Sequence, residues 1–212
     1  GGFMDKYGFP FTRGRIFDKI EIDEGQYDDA CPIFWASGTA FITRKKIFLK
    51  LGGFDEKLFA HFEEIDYHWK CHLTGYMVWV EPKSTIYHIG GGTLNYGTPF
   101  KTYLNHRNSF ITVISNTLFK ELFFVLFVRI LFQLASILRE LLKLRLNHAW
   151  AQIKAVLWIL LNFKYVIERR SKIQSLKTES VLNSIYSGSI VIDFFLKGEH
   201  KFSKIANLFN SN

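Results

Sequence analysis

The sequence predicts an α/β fold over residues 1–117, followed by a cationic, amphipathic α-helical region over residues 118–212. Two sequence patterns support this division. In the first region, short apolar runs alternate with segments whose apolar residues have the spacing of a helix, and in the second region this helical spacing continues throughout. The charge distribution supports it too. Residues 1–117 carry 13 Lys and Arg against 13 Asp and Glu, so the whole net charge of +8 lies in residues 118–212. With 48% hydrophobic residues, the 212-residue chain can form a packed core and is too apolar for a disordered tail.

Residues 1–34 are rich in Gly, Asp and aromatic residues without a clear period, which predicts loops with short pieces of structure. Two or three consecutive glycines separate the apolar runs that follow. Gly75 comes directly after a segment with apolar residues spaced i, i+4, i+8. We predict, in order, a buried strand over Trp35–Thr43, a short helix over Arg44–Leu51, a helix over Glu63–Leu73, strands over Met77–Val80 and Thr85–Ile89, and a helix from about Phe100.

The second region begins with a long helical period. Six polar residues between positions 118 and 147 recur at steps of three or four, which predicts one narrow polar stripe on an otherwise apolar helix. These residues are Arg129, Gln133, Ser136, Glu140, Lys143 and Asn147.

We do not expect this helix to cross a membrane. Its longest uncharged run is nine residues, Ile130–Leu138, whereas a span takes ~20 apolar residues. An arginine in mid-span costs about 2.5–3.5 kcal/mol. A second apolar helix, Trp150–Ile167, leads into a cationic run over 168–172. This composition is typical of helices that lie in a membrane interface and attract anionic lipid. The alternative is that both helices pack on the rest of the protein, with their cations simply solvated. A third apolar stretch, Val181–Leu196, has no assigned role.

An acidic cluster opens the helix predicted over Glu63–Leu73. Glu63, Glu64 and Asp66 lie in its first turn, where the helix dipole favours carboxylates by about 0.3–1 kcal/mol each. Asp66 is also placed to pair with Lys70 at i+4. The functional interpretation is that one of these carboxylates faces a cleft and acts as a general base.

His88 stands near the end of a predicted strand, directly before Ile89 and three glycines, Gly90, Gly91 and Gly92. Imidazole is a good ligand for a divalent ion, and glycines let the backbone approach a ligand closely. A hydrogen-bonded structural histidine is the alternative.

Several classes of protein are excluded. Two cysteines cannot form a disulfide framework or a four-thiolate metal site, so we expect a reducing compartment. No P-loop or Asp-x-Asp motif occurs. Nucleic-acid binding is disfavoured, because the phenylalanines of the cationic region fall on apolar helical faces instead of interleaving with basic residues.

The order of the motifs carries more information than any one of them. They are Ala36-Ser37-Gly38, Gly52-Gly53-Phe54-Asp55-Glu56, Phe62-Glu63-Glu64-Ile65-Asp66, Leu73-Thr74-Gly75-Tyr76, Tyr87-His88-Ile89-Gly90-Gly91-Gly92-Thr93 and the run Lys101–Asn108. This series resembles the second half of a family 2 glycosyltransferase of the inverting, Rossmann-like GT-A fold, and is most similar to bacterial rhamnosyltransferase-like members. The resemblance covers most of the chain.

The resemblance implies roles for individual residues. Glu64 matches the second acid of the family's Glu-Asp-x-x motif, which is the general base, although Glu replaces the commoner Asp here. Glu63 and Asp66 are implied to orient the acceptor or the base. Ala36-Ser37-Gly38 is implied to line the donor-sugar side of the cleft, together with Gly90–Gly92 as substrate-binding residues. His88 matches a histidine that completes a Mg²⁺ or Mn²⁺ site in part of the family.

The implied activity is transfer of a sugar from a nucleotide-diphosphate-sugar donor to a hydroxyl of a saccharide or lipid-linked acceptor, with inversion, in cell-surface polysaccharide synthesis. Residues 1–117 are expected to be the acceptor-side half of the catalytic domain. The chain starts with Gly1, so we expect the nucleotide-binding half to be encoded upstream and this fragment alone to be inactive. The expected location is cytoplasmic, peripheral at the inner face of the plasma membrane. A non-catalytic membrane-surface module is the alternative.

Overall fold

The computed structural model describes residues 1–88, 97–178 and 185–209. These residues form a mixed α/β structure of small sheets and eight α-helices. The strands are β1 (Gly2–Asp5), β2 (Pro10–Thr12), β3 (Arg15–Ile16), β4 (Lys19–Ile20), β5 (Cys31–Ile33), β6 (Val78–Val80) and β7 (Ile185–Tyr186). The helices are α1 (Lys45–Lys50), α2 (Glu63–Leu73), α3 (Pro99–Asn116), α4 (Phe119–Leu142), α5 (Leu146–Leu161), α6 (Phe163–Gln174), α7 (Ile190–Phe195) and α8 (Phe202–Phe209), with a 3₁₀ turn at Glu56–Leu58.

The larger sheet joins the two ends of the chain. Its strand order is β4-β3-β2-β1-β7, in which β1 to β4 form an antiparallel meander and β7 pairs with β1 in parallel. The carboxylate of Asp5, at the end of β1, accepts hydrogen bonds from the backbone N–H groups of Tyr7, Phe9 and Ile190. Residues 185–209 therefore complete the N-terminal sheet instead of forming a separate tail.

The predicted helices of the first region are confirmed and two of its strands are wrong. Helix α2 has the predicted bounds, and α1 lies inside the predicted short helix. Trp35–Thr43 is not a strand, because Ser37–Ala40 form a turn and the strand lies earlier, at β5. Pro32, which has no N–H, is accommodated there in a two-stranded sheet with β6. Positions 85–88 of the strand predicted over Thr85–Ile89 are not strand, and Ile89 is outside the described residues.

The polar stripe of α4 faces the inside of the protein. Arg129 is 3% exposed, and Gln133 and Glu140 are also buried, whereas the opposite face of the helix is apolar and exposed. The helix ends at Leu142, so Lys143 and Asn147 lie beyond it and are exposed. An ordinary surface helix has the reverse orientation, with its apolar stripe on the core. The polarity of α4 is therefore inverted.

Arg129 is the central contact of this inverted packing. Its Nη1 donates to the carbonyl oxygens of Tyr7 and Gly8 at 3.3 and 3.2 Å, and its Nη2 donates to the hydroxyl of Ser109. The guanidinium also lies 4.2 Å from the centroid of the Phe9 ring. Burial lowers the pKa of Arg129 to about 10, so the group stays charged at neutral pH. One side chain thus ties the middle of α4 to the β1–β2 turn.

Farther along α4, Gln133 contributes a second polar link. Its Nε2 donates to Oε1 of Gln152 on α5 at 3.0 Å, and its Oε1 lies 2.7 Å from Nδ1 of His106 on α3. Glu140 pairs with Arg145 at 3.2 Å beyond the helix end. Polar side-chain contacts, in addition to apolar packing, therefore hold α4 against its neighbours.

By length and composition α4 could cross a membrane, although the sequence predicts that it does not. It has 24 residues, and its most apolar 18-residue window has a mean hydropathy of 2.1. The predicted helix Trp150–Ile167 is two helices, α5 and α6, because the chain bends by 73° between them. At the bend, Nδ2 of Asn162 donates to the carbonyl of Trp158 at 2.8 Å.

Helix α6 is fastened to the first region by buried charges. Arg169 Nη2 lies 2.7 Å from a carboxylate oxygen of Asp66 on α2, and Arg169 Nε lies 2.7 Å from Asp55. Arg170 donates to the carbonyls of Ile114 and Thr117, at 2.6 and 2.7 Å, which satisfies orphan acceptors at the end of α3. The boundary at residue 117 is thus a helix–helix junction inside one packed body.

We predict that Arg169→Leu destabilises the protein by about 3–5 kcal/mol at neutral pH, because it leaves the buried Asp66 carboxylate without its closest cation. Burial opposes ionisation of Asp66, but Arg169 and Lys70 outweigh it and keep the pKa of Asp66 below its usual range. A lowered pKa stabilises the fold above the unfolded value and loses that contribution as pH falls. The difference between the two proteins should therefore shrink below about pH 4.

Urea unfolding at several pH values measures this difference. Lys164→Leu is the matched control, since Lys164 is an exposed residue of the same helix whose 4.0 Å pair with Glu168 contributes less than ~1 kcal/mol. Equal losses in the two variants would show that the Arg169 cluster does not hold α6.

Candidate active site

The loop before α2 is strained at three non-glycine residues. Phe59, His61 and Phe62 have φ of 62°, 68° and 73°, in the left-handed region that side chains disfavour. Each such residue costs roughly 1–3 kcal/mol, and such strain clusters at functional sites. The loop leads directly into Glu63 and Glu64, so its conformation sets where the two carboxylates point.

Two side chains of α3 hold this loop in place. Asn108 is fully buried, and its Nδ2 lies 2.8 Å from each of the carbonyl oxygens of Leu58, Ala60 and His61. Arg107 donates from Nη2 to the Leu58 carbonyl at 3.2 Å and from Nε to Asn108 Oδ1 at 2.9 Å. The sequence placed both residues only within a motif, and the structure gives them a positioning role.

Glu64 has the environment of a base that works near neutral pH. Burial and the neighbouring charge of Glu63 raise the pKa of Glu64 to about 7, although backbone N–H groups of Gly38 and Ile65 act in the opposite direction. Burial also raises the pKa of Glu63. A general base is most effective when its pKa lies near the working pH.

The turn predicted to line the cleft does lie against Glu64. A side chain added at Gly38 would lie 3.6 Å from the Glu64 carboxyl carbon, in ordinary contact. Ser37 closes the turn, because its hydroxyl bonds the Thr39 hydroxyl at 3.0 Å and accepts from the Thr39 N–H. Ala36 is half-buried and precedes it. Residues 26 positions apart in the sequence thus form one edge of the candidate site.

Asp66 has a different place from the one that the resemblance implies. It is fully buried, and it binds Arg169, Lys70 and the side-chain amide of Asn116, which donates to it at 2.8 Å. Its pair with Lys70 at 3.3 Å confirms the helical i, i+4 interpretation. A carboxylate enclosed by three protein partners cannot orient an acceptor, so we correct its role to a structural one.

His61 is a candidate that the sequence did not reveal. Its Nε2 is buried and, within residues 1–88, 97–178 and 185–209, has no hydrogen-bond partner; the same holds for one oxygen each of Glu63 and Glu64. Burial, with the charge of Lys101, lowers the pKa of His61. Three polar groups within four residues are therefore left for a ligand or water to satisfy. The feature that distinguishes this histidine is its positive φ, and a sequence does not show φ values.

The implied metal site is not assembled by the residues that the structure describes. His88 is exposed, and no three His, Cys, Asp or Glu residues of the described ranges group as metal ligands. Gly90, Gly91 and Gly92 lie outside the described residues. One exposed histidine does not hold a divalent ion, so no chemical step here is assigned to a metal.

Comparisons with protein-family models, with curated proteins and with solved structures gave no match to this chain.

We predict that Glu64→Gln makes the protein more stable than wild type at about pH 8.5 and has little such effect at about pH 5. A raised pKa means that wild-type stability falls as pH rises from the ordinary value of 4.5 through about 7, because the buried carboxyl must ionise. Glutamine never ionises. At ~1.36 kcal/mol per pKa unit, the pH-dependent gain should be about 2–4 kcal/mol.

Thermal and urea unfolding across this pH range test the prediction. The buried Asp5, whose pKa burial likewise raises to about 7, is present in both proteins and cancels from the difference. Glu121→Gln, an exposed residue in the first turn of α4, should show no pH-dependent gain. A pH-independent difference for Glu64→Gln would mean that the carboxyl titrates as an exposed group does.

Proposed function

We propose that the chain is part of an inverting glycosyltransferase of family 2, in which Glu64 is the general base. The observation that carries the proposal is the placement of Glu64: a half-buried carboxylate with a pKa of about 7, beside the Ser37-Gly38 turn, at the end of a strained loop. The ordered motifs described above supply the family, and the site geometry is consistent with the role they imply for this residue.

The chemistry is a single displacement at the anomeric carbon of a nucleotide-diphosphate-sugar. The acceptor hydroxyl attacks from the face opposite the diphosphate, and its oxygen forms the new bond to the anomeric carbon. The bond from that carbon to the diphosphate oxygen breaks, and the leaving group departs with the electron pair. Glu64 takes the proton from the attacking hydroxyl. Because there is one displacement, the configuration inverts.

Glu63 and His61 complete the acceptor side in this proposal. Burial, together with the charge of Glu63, raises the pKa of Glu64 to about 7 and keeps it a competent base near neutral pH. We assign a hydroxyl of the acceptor to His61 Nε2, which is buried and without a hydrogen-bond partner among the described residues. The described residues include no group that we assign to the donor nucleotide. A divalent ion on the donor diphosphate would take at most one ligand, His88, from the described residues of this chain.

The acceptor that we propose is a saccharide or a lipid-linked saccharide, in cell-surface polysaccharide synthesis, with the enzyme at the inner face of the plasma membrane. The second candidate function is a membrane-surface module without catalysis, favoured by the apolar exposed face of α4. A test of catalysis distinguishes these two candidate functions, because a membrane-surface module needs no base at position 64.

We predict that Glu64→Gln in the full-length protein lowers turnover by roughly 10²–10⁴-fold and leaves the KM for the donor nearly unchanged. The assay is release of nucleoside diphosphate from a panel of nucleotide-sugars, with host membranes as the acceptor source. Wild-type kcat/KM should rise with pH through about 7, as Glu64 loses its proton.

Glu168→Gln serves as the activity control, because Glu168 is exposed on α6 and no part of the candidate site. If Glu64→Gln retains wild-type turnover, Glu64 is not the general base, and the membrane-surface module is the remaining candidate. Absence of activity in the wild-type protein with every donor would also favour the module.

A further inference from the structure

The outer face of α4 is a continuous apolar surface. Nine large side chains on it are between 50% and 86% exposed: Phe119, Phe123, Phe124, Phe127, Ile130, Leu131, Leu134, Leu138 and Leu142. Two of them, Phe119 and Phe123, together expose roughly 300 Å², which already approaches the largest apolar patch of a typical soluble monomer. A surface of this size requires a covering.

Helix α5 also carries exposed apolar side chains. Trp150, Leu157, Leu160 and Leu161 are exposed there, at spacings that place them along one side of the helix. The tryptophan side chain combines an apolar ring system with one polar N–H, and tryptophan is enriched at membrane–water interfaces. The two helices pack on each other, so their exposed sides can meet the same environment.

Exposed cations accompany this surface. Lys120 on the first turn of α4, Lys143 just beyond its end and Lys154 among the apolar residues of α5 are exposed. In the part of the chain that the structure describes, none of the three forms a salt bridge with a carboxylate. An anionic partner therefore fits this surface better than a neutral one.

The contacts of Arg129 decide how the surface meets that partner. Arg129 lies near the middle of α4 and is bonded to the carbonyls of Tyr7 and Gly8, which connect β1 to β2. If α4 crossed a bilayer, this turn and the attached sheet would lie in the hydrocarbon core. Unpaired backbone groups are not tolerated there. Lying along the surface, α4 keeps these contacts and buries only its apolar side.

We propose that the exposed faces of α4 and α5 seat the protein on an anionic lipid bilayer, with α4 parallel to the membrane plane and its polar stripe turned toward the protein. This proposal goes beyond the sugar-transfer chemistry and does not depend on it. The bilayer supplies the apolar covering, and the anionic headgroups match the cations.

The test is co-sedimentation of the full chain with vesicles of phosphatidylcholine alone or with about 30% phosphatidylglycerol, a composition that provides an anionic surface. We expect tight binding to the anionic vesicles, weaker binding to the neutral ones and partial release by salt. The double variant Phe127→Glu/Leu134→Glu should bind roughly 100-fold or more weakly, because two charges must enter the interface.

The matched control is Ile22→Glu/Ile42→Glu, which adds the same charge at exposed apolar residues outside α4 and α5 and should bind like wild type. Circular dichroism confirms that both double variants fold. A triple variant, Lys120→Gln/Lys143→Gln/Lys154→Gln, should lose most of the preference for anionic lipid, since each well-placed cation strengthens binding by roughly fivefold.

Three results would overturn the proposal. Equal vesicle binding by wild type and Phe127→Glu/Leu134→Glu would place the contact elsewhere. Resistance of the membrane-bound protein to alkaline carbonate would mean that α4 spans the bilayer. A lipid-free dimer that the same double variant dissociates, without vesicle binding by the wild type, would identify a second copy as the covering. None of these results bears on Glu64, whose role is tested by turnover.

Discussion

Burial of the Arg129 guanidinium against the carbonyls of Tyr7 and Gly8 fixes the orientation of α4. A buried arginine keeps its charge and needs several acceptors, and the β1–β2 turn and Ser109 supply them. Because these acceptors lie on one side of the helix, the polar stripe must face inward. The apolar side of α4 is then turned outward and exposed, and the membrane contact that we propose depends on this one orientation.

A second set of buried charges connects the helical region to the candidate site. Arg169 on α6 binds Asp66, which lies two residues after Glu64 on α2, and also Asp55, which precedes the 3₁₀ turn. Asn108 on α3 then holds the loop that follows. The cationic region is therefore part of the scaffold of the site. A surface that binds lipid through α4 would hold Glu64 at a fixed position relative to the bilayer.

The elements set by local signals could be predicted from the sequence. The apolar spacing of α2 and Gly75 after it give its two ends, and Gly52-Gly53 end α1. The strand predicted over Trp35–Thr43 was wrong, because small residues permit a turn as well as a strand, and Ser37–Ala40 form a turn. Periodicity predicted the polar stripe of α4 but not its direction, since the backbone acceptors of Arg129 lie 121 and 122 positions earlier. Similarly, the positive φ values of Phe59, His61 and Phe62 occur in a loop held by Asn108. The residue types alone do not predict these φ values.

Depth measurement along α4 tests most directly the claim that its polar stripe is fixed inward and its apolar face meets a bilayer. Nitroxide labels at Phe123, Phe127, Leu134 and Leu138, all on the exposed face, would be compared by their accessibility to oxygen and to a water-soluble nickel complex on anionic vesicles. The account predicts that all four labels reach the same shallow depth, roughly 5–10 Å below the headgroups. A depth that increases toward the middle of the helix and decreases again would mean a span. Unchanged accessibility on adding vesicles would mean that lipid does not cover this face, and either result would contradict the account.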